Sequence, residues 1–141
     1  MAKGERIMTK EEIIRALGSG ITSWGMYETN WDAMDAMEKS EDPFAYVKPI
    51  LDMIGTHPDI DFGTPGMLVH FVEKFSGQGY EELLIDSVRK NPTPHNIWMV
   101  HRCYNDCDAT LHKMIEDLLS ELREDCNISA EIKKEIDNFT W

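Results

Sequence analysis

The stretch Thr93-Pro94-His95-Asn96-Ile97-Trp98-Met99-Val100 decides the fold class, because it marks a helix start and then supplies an apolar face. Threonine can cap the free N–H groups of a first helical turn, and proline is tolerated there because its missing N–H would be unpaired anyway. The pairs Asp42-Pro43 and Thr64-Pro65 repeat this arrangement ahead of two other apolar runs. One pattern therefore predicts three helix starts.

Further helices are predicted on both sides of these starts. Thr9 and Glu12 form a T-x-x-E capping box ahead of an apolar stripe. Apolar spacing also predicts a helix over Tyr80 to Lys90, another after Asn105-Asp106 and a short last one from Ser129.

The segment from Ile21 to Lys39 contains an unusual aromatic pattern. Trp24, Tyr27 and Trp31 recur at steps of three and four, which predicts one amphipathic helix with an aromatic face. Such a face is most often core. The alternative is an interface anchor, because Trp and Tyr are enriched at binding hot spots.

The chain is therefore predicted to be all-α, as a single helical domain over residues 1–141. No segment alternates convincingly with period two, and no Asn-Gly or Asp-Gly turn separates apolar runs. Short connections favour stacked antiparallel helical hairpins, as in a HEAT-like α-α superhelix. An irregular helical bundle stays open, because no residue pattern repeats at a fixed period.

The charge of the chain is strongly negative, with 26 acidic against 14 basic residues and a formal net charge of -12. Such a field repels nucleic acid and anionic membranes, and it speeds encounter with a basic partner, although acidity can also serve solubility alone. No apolar run reaches the roughly 18 residues that span a bilayer. We expect a cytoplasmic protein, with its three cysteines reduced, that binds neither nucleic acid nor membrane.

Metal binding and catalysis are not favoured. His101, Cys103, Cys107 and His112 are zinc-type donors. On a continuous helix, however, His101 would point away from the two cysteines. A nucleophile turn and a Gly-rich phosphate loop are both missing. We therefore expect no enzyme activity, no metal and no cofactor.

The candidate partner-binding residues are side chains on predicted polar faces and in loops, nearly all of them acidic. They are Asp32, Asp35, Asp59, Asp61, Glu73, Tyr80, Asp106 and Asp108. For Asp108, capping of the following helix is the favoured interpretation. A rim of carboxylates suits a partner rich in Lys and Arg.

Three central runs combine Gly and Pro at helix starts with apolar faces and a tryptophan. They are Asp61–Glu73, Leu83–Val88 and Pro92–Arg102. Together they resemble the small helical immunity proteins of bacterial polymorphic toxin systems, including those of contact-dependent growth inhibition. The resemblance implies a cytosolic inhibitor that binds and neutralises one cognate toxin, often a basic nuclease, through an acidic surface. The alternative is a helical-repeat scaffold or regulatory domain with another protein partner.

Overall fold

The computed structural model describes residues 8–63 and 66–141, which are mainly helical. The α-helices in these residues are α1 (Lys10–Gly18), α2 (Trp31–Glu38), α3 (Val47–Thr56), α4 (Met67–Glu73), α5 (Tyr80–Lys90), α6 (Pro94–Tyr104), α7 (Ala109–Glu124) and α8 (Ala130–Asp137). A 3₁₀ helix, Pro43–Tyr46, leads directly into α3. Within the described ranges, β-structure is limited to two isolated β-bridges. The all-α prediction is therefore confirmed.

Side-chain caps explain where several helices begin. The Thr9 hydroxyl accepts the N–H of Glu12, and the Glu12 carboxylate accepts the N–H of Thr9 in return. Thr93 and Asn96 make the same reciprocal pair in the interior, ahead of α6. The Asp108 carboxylate caps α7. The predicted starts at Thr9 and Thr93 are therefore confirmed.

The start predicted at Asp42-Pro43 differs in detail. Asp42 makes no side-chain capping hydrogen bond, and Pro43 begins the 3₁₀ helix rather than an α-helix. The α-helix starts only at Val47, which places Pro49 in its first turn, where backbone N–H groups have no partner within the helix. The start predicted at Thr64-Pro65 lies outside the described residues.

The helix predicted from Ile21 to Lys39 is wrong in its first half. Residues 21–30 form a loop, in which Gly25 adopts a left-handed conformation with φ of 79°. Helix α2 begins at Trp31, after Asn30 has capped it by accepting the Ala33 N–H at 3.0 Å. A positive φ and a side-chain cap both interrupt a continuous helix, so the aromatic spacing before Trp31 is not helical.

The buried side chains form one hydrophobic cluster to which every helix contributes. Helices α1 and α2 pack against each other, as do α5 and α6, α6 and α7, and α7 and α8. The most extensive packing joins α3 to α5, which are not consecutive. The HEAT-like repeat and the single domain over residues 1–141 therefore stay predictions. None of the helices in the described ranges is long and apolar enough to cross a membrane.

Candidate functional site

The connection from α1 to α2 exposes three large apolar side chains. Trp24 is 84% exposed, Trp31 63% and Met26 59%, whereas Trp98 and Trp141 are partly buried against the core. We call residues 19–31 the tryptophan loop. The prediction that its aromatic residues form a core face is wrong for Trp24, which lies where the predicted helix does not form, and for Trp31, which begins α2 but is exposed. Exposed tryptophan is instead typical of binding anchors.

The tryptophan loop is closed by hydrogen bonds near its two ends. The Glu28 N–H donates to the Gly20 carbonyl oxygen at 2.7 Å. A Cβ atom at Gly20 would lie only 2.1 Å from the Glu28 carbonyl oxygen, so this approach requires glycine. The Tyr27 hydroxyl donates to the Leu17 carbonyl, and burial raises the Tyr27 pKa to about 12, which keeps the phenol protonated. The exposed side chains therefore project from a fixed backbone.

The loop that follows α3 runs beside the tryptophan loop. The Asp61 N–H donates to the Gly25 carbonyl at 2.7 Å, and the Tyr27 N–H donates to the Asp61 carbonyl at 2.9 Å. The Phe62 ring packs against Tyr27 with centroids 5.3 Å apart. Asp59 and Asp61 are both exposed. Two of the predicted partner-binding residues therefore flank the tryptophan loop.

A groove of about 410 Å³ opens where the tryptophan loop meets α2. Glu28, Trp31 and Asp32 line it, and all three are exposed. Within residues 8–63 and 66–141, the carboxylates of Glu28 and Asp32 make no ion pair or hydrogen bond. The groove therefore places an indole together with two carboxylates that have no cationic partner in the described part of the chain. The sequence analysis does not single out Glu28 or Met26, although Gly25 and Asn30 are signals that the predicted helix is interrupted.

Three other predicted residues lie around a separate cavity of about 360 Å³. The Glu73 carboxylate accepts two hydrogen bonds from Arg102, at 2.7 and 3.0 Å. Asp106 is exposed. Tyr80 is fully buried, and burial raises its pKa well above the usual range. A buried phenol has no surface to offer a partner, so the assignment of Tyr80 to an interface is corrected: it belongs to the core.

Asp35 and Asp108 act within the chain itself. Asp35 forms an ion pair with Lys39 one turn later, at 3.0 Å, and exposed pairs of this kind contribute at most about 1 kcal/mol. The Asp108 carboxylate accepts the Leu111 N–H at 2.8 Å, which agrees with the capping interpretation. Of the predicted residues, Asp32 lies beside Trp31 in the groove, and Asp59 and Asp61 lie on the loop that borders the tryptophan loop.

The zinc-type side chains of α6 and α7 have other contacts. His101 stacks on Phe139 with ring centroids 4.5 Å apart, and His112 stacks on Tyr104 at 3.8 Å. Burial raises the pKa of Cys103 to about 12, so its thiol is protonated at neutral pH and is a poor nucleophile. In the part of the chain that the structure describes, no three His, Cys, Asp or Glu side chains are grouped to hold a metal ion.

Comparison with known proteins gives no relative. No protein-family model matches the chain, and no curated protein or solved structure is significantly similar to it. The fold and the site define an all-α protein with an exposed surface of tryptophans and carboxylates.

Proposed function

We propose that this chain is an immunity protein that binds one basic toxin domain and neutralises it. The observation that carries the proposal is the tryptophan loop, where exposed indoles lie beside carboxylates that pair with no cation among the described residues. The net charge of -12 supports the same function, because it attracts a basic partner. The resemblance of the central segment to immunity proteins of polymorphic toxin systems supports it as well.

An exposed tryptophan on a fixed loop is suited to anchoring a protein partner. An indole buries a large area when it enters a pocket, and it has few torsions to restrict. The hydrogen bonds that close the tryptophan loop hold its backbone before binding, so little ordering entropy is lost when the complex forms. The neighbouring carboxylates of Asp32, Asp59 and Asp61 then favour partners that present Lys and Arg.

Neutralisation by this surface requires no catalytic group. On a basic nuclease, the carboxylates would lie where substrate phosphates otherwise bind, and the indoles would exclude water from the contact. An interface of roughly 1,600 Å² with a few anchors is sufficient for nanomolar or tighter binding. The chain would act in the cytosol of the producing cell, before the toxin reaches its substrate.

Co-production of this chain with the protein encoded directly upstream tests the proposal. We expect a one-to-one complex that survives size-exclusion chromatography at micromolar concentration, and we expect cells to be protected from growth arrest by the toxin. The lack of any complex at that concentration would contradict the proposal. A non-toxic partner encoded elsewhere would instead favour a scaffold or regulatory domain.

A further inference from the structure

We infer that the groove beside Trp31 binds the guanidinium group of an arginine from the partner, an inference that rests on the proposed function. The occupant is an arginine-bearing segment of the toxin. Its guanidinium lies against the Trp31 indole, and its N–H groups donate to the carboxylates of Glu28 and Asp32.

The shape of the groove suits a side chain rather than a whole domain. Its volume of about 410 Å³ is near the lower end of the range for ligand sites, roughly 300 to 1,000 Å³. Trp31 supplies one apolar wall, and Ser19 and Asn30 contribute to the lining. Trp31 is the first residue of α2, and the Asn30 cap fixes that helix start. The groove is therefore anchored to a helix and not only to a loop.

The charge of the groove calls for a cation. Glu28 and Asp32 line the same space, and the lining contains no Lys, Arg or His among the described residues. A guanidinium that contacts both carboxylates would gain more energy than one beside a single carboxylate.

A partly buried contact elsewhere in the same chain has a comparable arrangement. The Arg102 Cζ atom lies 5.0 Å from the ring centroid of Trp98. Two nitrogens of the same guanidinium donate to Glu73 at 2.7 and 3.0 Å. Tryptophan, carboxylate and arginine are thus combined in one contact. The groove beside Trp31 exposes a tryptophan and carboxylates but contains no arginine of its own among the described residues.

Arginine fits this groove better than lysine does. The guanidinium is planar, so it can stack on an indole while its edges donate hydrogen bonds in two directions. An ammonium group is more strongly hydrated and offers no flat face. The groove should therefore distinguish the two cations at equal charge.

Titration of the ¹⁵N-labelled chain with a tetra-arginine or a tetra-lysine peptide tests the inference. The indole N–H resonance of Trp31 reports binding, and those of the partly buried Trp98 and Trp141 serve as internal references. We expect the Trp31 resonance to shift and saturate at millimolar tetra-arginine, with an affinity at least about threefold above that of tetra-lysine. An unmoved Trp31 resonance, or equal affinity for the two peptides, would overturn the inference.

Two double variants of equal net charge separate the groove from general attraction. In Glu28→Gln with Asp32→Asn, the affinity for tetra-arginine should fall at least about tenfold. In Glu124→Gln with Glu131→Gln, which changes exposed carboxylates of α7 and α8, it should change less than about twofold. Equal losses in both would overturn the inference. Trp31→Leu should also weaken binding of tetra-arginine. The Asp32 amide resonance reports binding in this variant, and an unchanged affinity would count against the groove.

The outcomes distinguish this inference from the proposed function. If the toxin is neutralised but the peptide does not bind at Trp31, the arginine groove is wrong and the immunity function is unaffected. If the peptide binds and the toxin forms no complex, the immunity function is contradicted while the groove retains its arginine preference.

Discussion

The backbone N–H of Glu28 donates to the carbonyl oxygen of Gly20 at 2.7 Å, and this hydrogen bond closes the loop that carries Trp24 and Met26. Both side chains are exposed, so they contribute little to the core. Their positions are set instead by the backbone on either side of them. A partner would therefore meet a surface that is already ordered, which reduces the entropic cost of binding.

Alanine at Gly20 should destabilise the protein. Its Cβ would lie 2.1 Å from the Glu28 carbonyl oxygen, so the two ends of the tryptophan loop would have to separate. We expect a loss of about 2 kcal/mol in the free energy of unfolding, measured by urea denaturation. Gly18→Ala is the matched control, because nothing lies within 4 Å of a Cβ there. It should be neutral or stabilising by up to about 1 kcal/mol, and equal losses at both glycines would contradict the account.

Removal of the Tyr27 hydroxyl should loosen the same loop. Tyr27→Phe removes the donor to the Leu17 carbonyl at the end of α1. The free energy of unfolding should fall by about 1 kcal/mol, which is typical of one lost hydrogen bond. Tyr46→Phe serves as control, because the Tyr46 hydroxyl makes no hydrogen bond within the described residues. A Tyr46 variant that loses as much stability would count against a specific role for the Tyr27 contact.

The stability of the protein should fall in mild acid through His95. Burial lowers the pKa of His95 below its usual value of 6.5, and its Nε2 atom is buried without a partner among the described residues. Below about pH 6.5, His95 takes up a proton in the unfolded chain but not in the folded chain. The unfolded state then binds more protons, so the free energy of unfolding falls as the pH decreases.

Replacement of His95 isolates this contribution. His95→Phe keeps a ring beside Phe62 and Trp98, so the packing is largely retained. The loss of stability between about pH 7.5 and about pH 5.5 should be smaller in this variant than in the wild type. His70 is exposed, and His70→Phe serves as the control for replacing a histidine by phenylalanine. An identical acid response in all three proteins would contradict the assignment to His95.

The cysteines should differ in reactivity according to their burial. Cys126 is exposed, whereas Cys103 and Cys107 are partly buried and burial raises the pKa of both thiols. A thiol-specific reagent should modify Cys126 first in the native protein, because the thiolate is the reactive form. Cys126→Ser should remove the fast phase. Rapid modification of Cys103 without unfolding would show that its surroundings are more open than the structure indicates.

Some helix starts have local causes, and these could be predicted from the sequence. The Thr9 box and the Thr93-Pro94 cap lie within one turn of the residues they stabilise, so a short stretch of sequence contains the whole interaction. The same holds for Asp108, whose carboxylate reaches the Leu111 N–H only three residues away. Capping of this kind depends little on the rest of the fold.

The candidate site could be predicted only in part, because it depends on contacts distant in sequence. The spacing of Trp24, Tyr27 and Trp31 fits a helix as well as it fits the observed loop, and the loop is stabilised by Asp61, which is more than thirty residues away. Gly25 and Asn30 are local signs of an interruption, and a prediction from the aromatic spacing alone does not take them into account. Tyr80 was misplaced for a related reason, since only the packing of α5 onto its neighbours buries it.

The most direct measurement of the central claim is the dissociation constant of the complex with the upstream-encoded toxin domain, determined by calorimetry for the wild type and for Trp31→Ala. We expect nanomolar or tighter binding by the wild type. The Trp31 variant should bind at least about thirtyfold more weakly, which corresponds to a loss of about 2 kcal/mol. Glu124→Gln with Glu131→Gln should bind like the wild type. A wild type that fails to bind the toxin domain would contradict the immunity function, and a Trp31→Ala variant that binds as tightly as the wild type would show that the interface lies elsewhere.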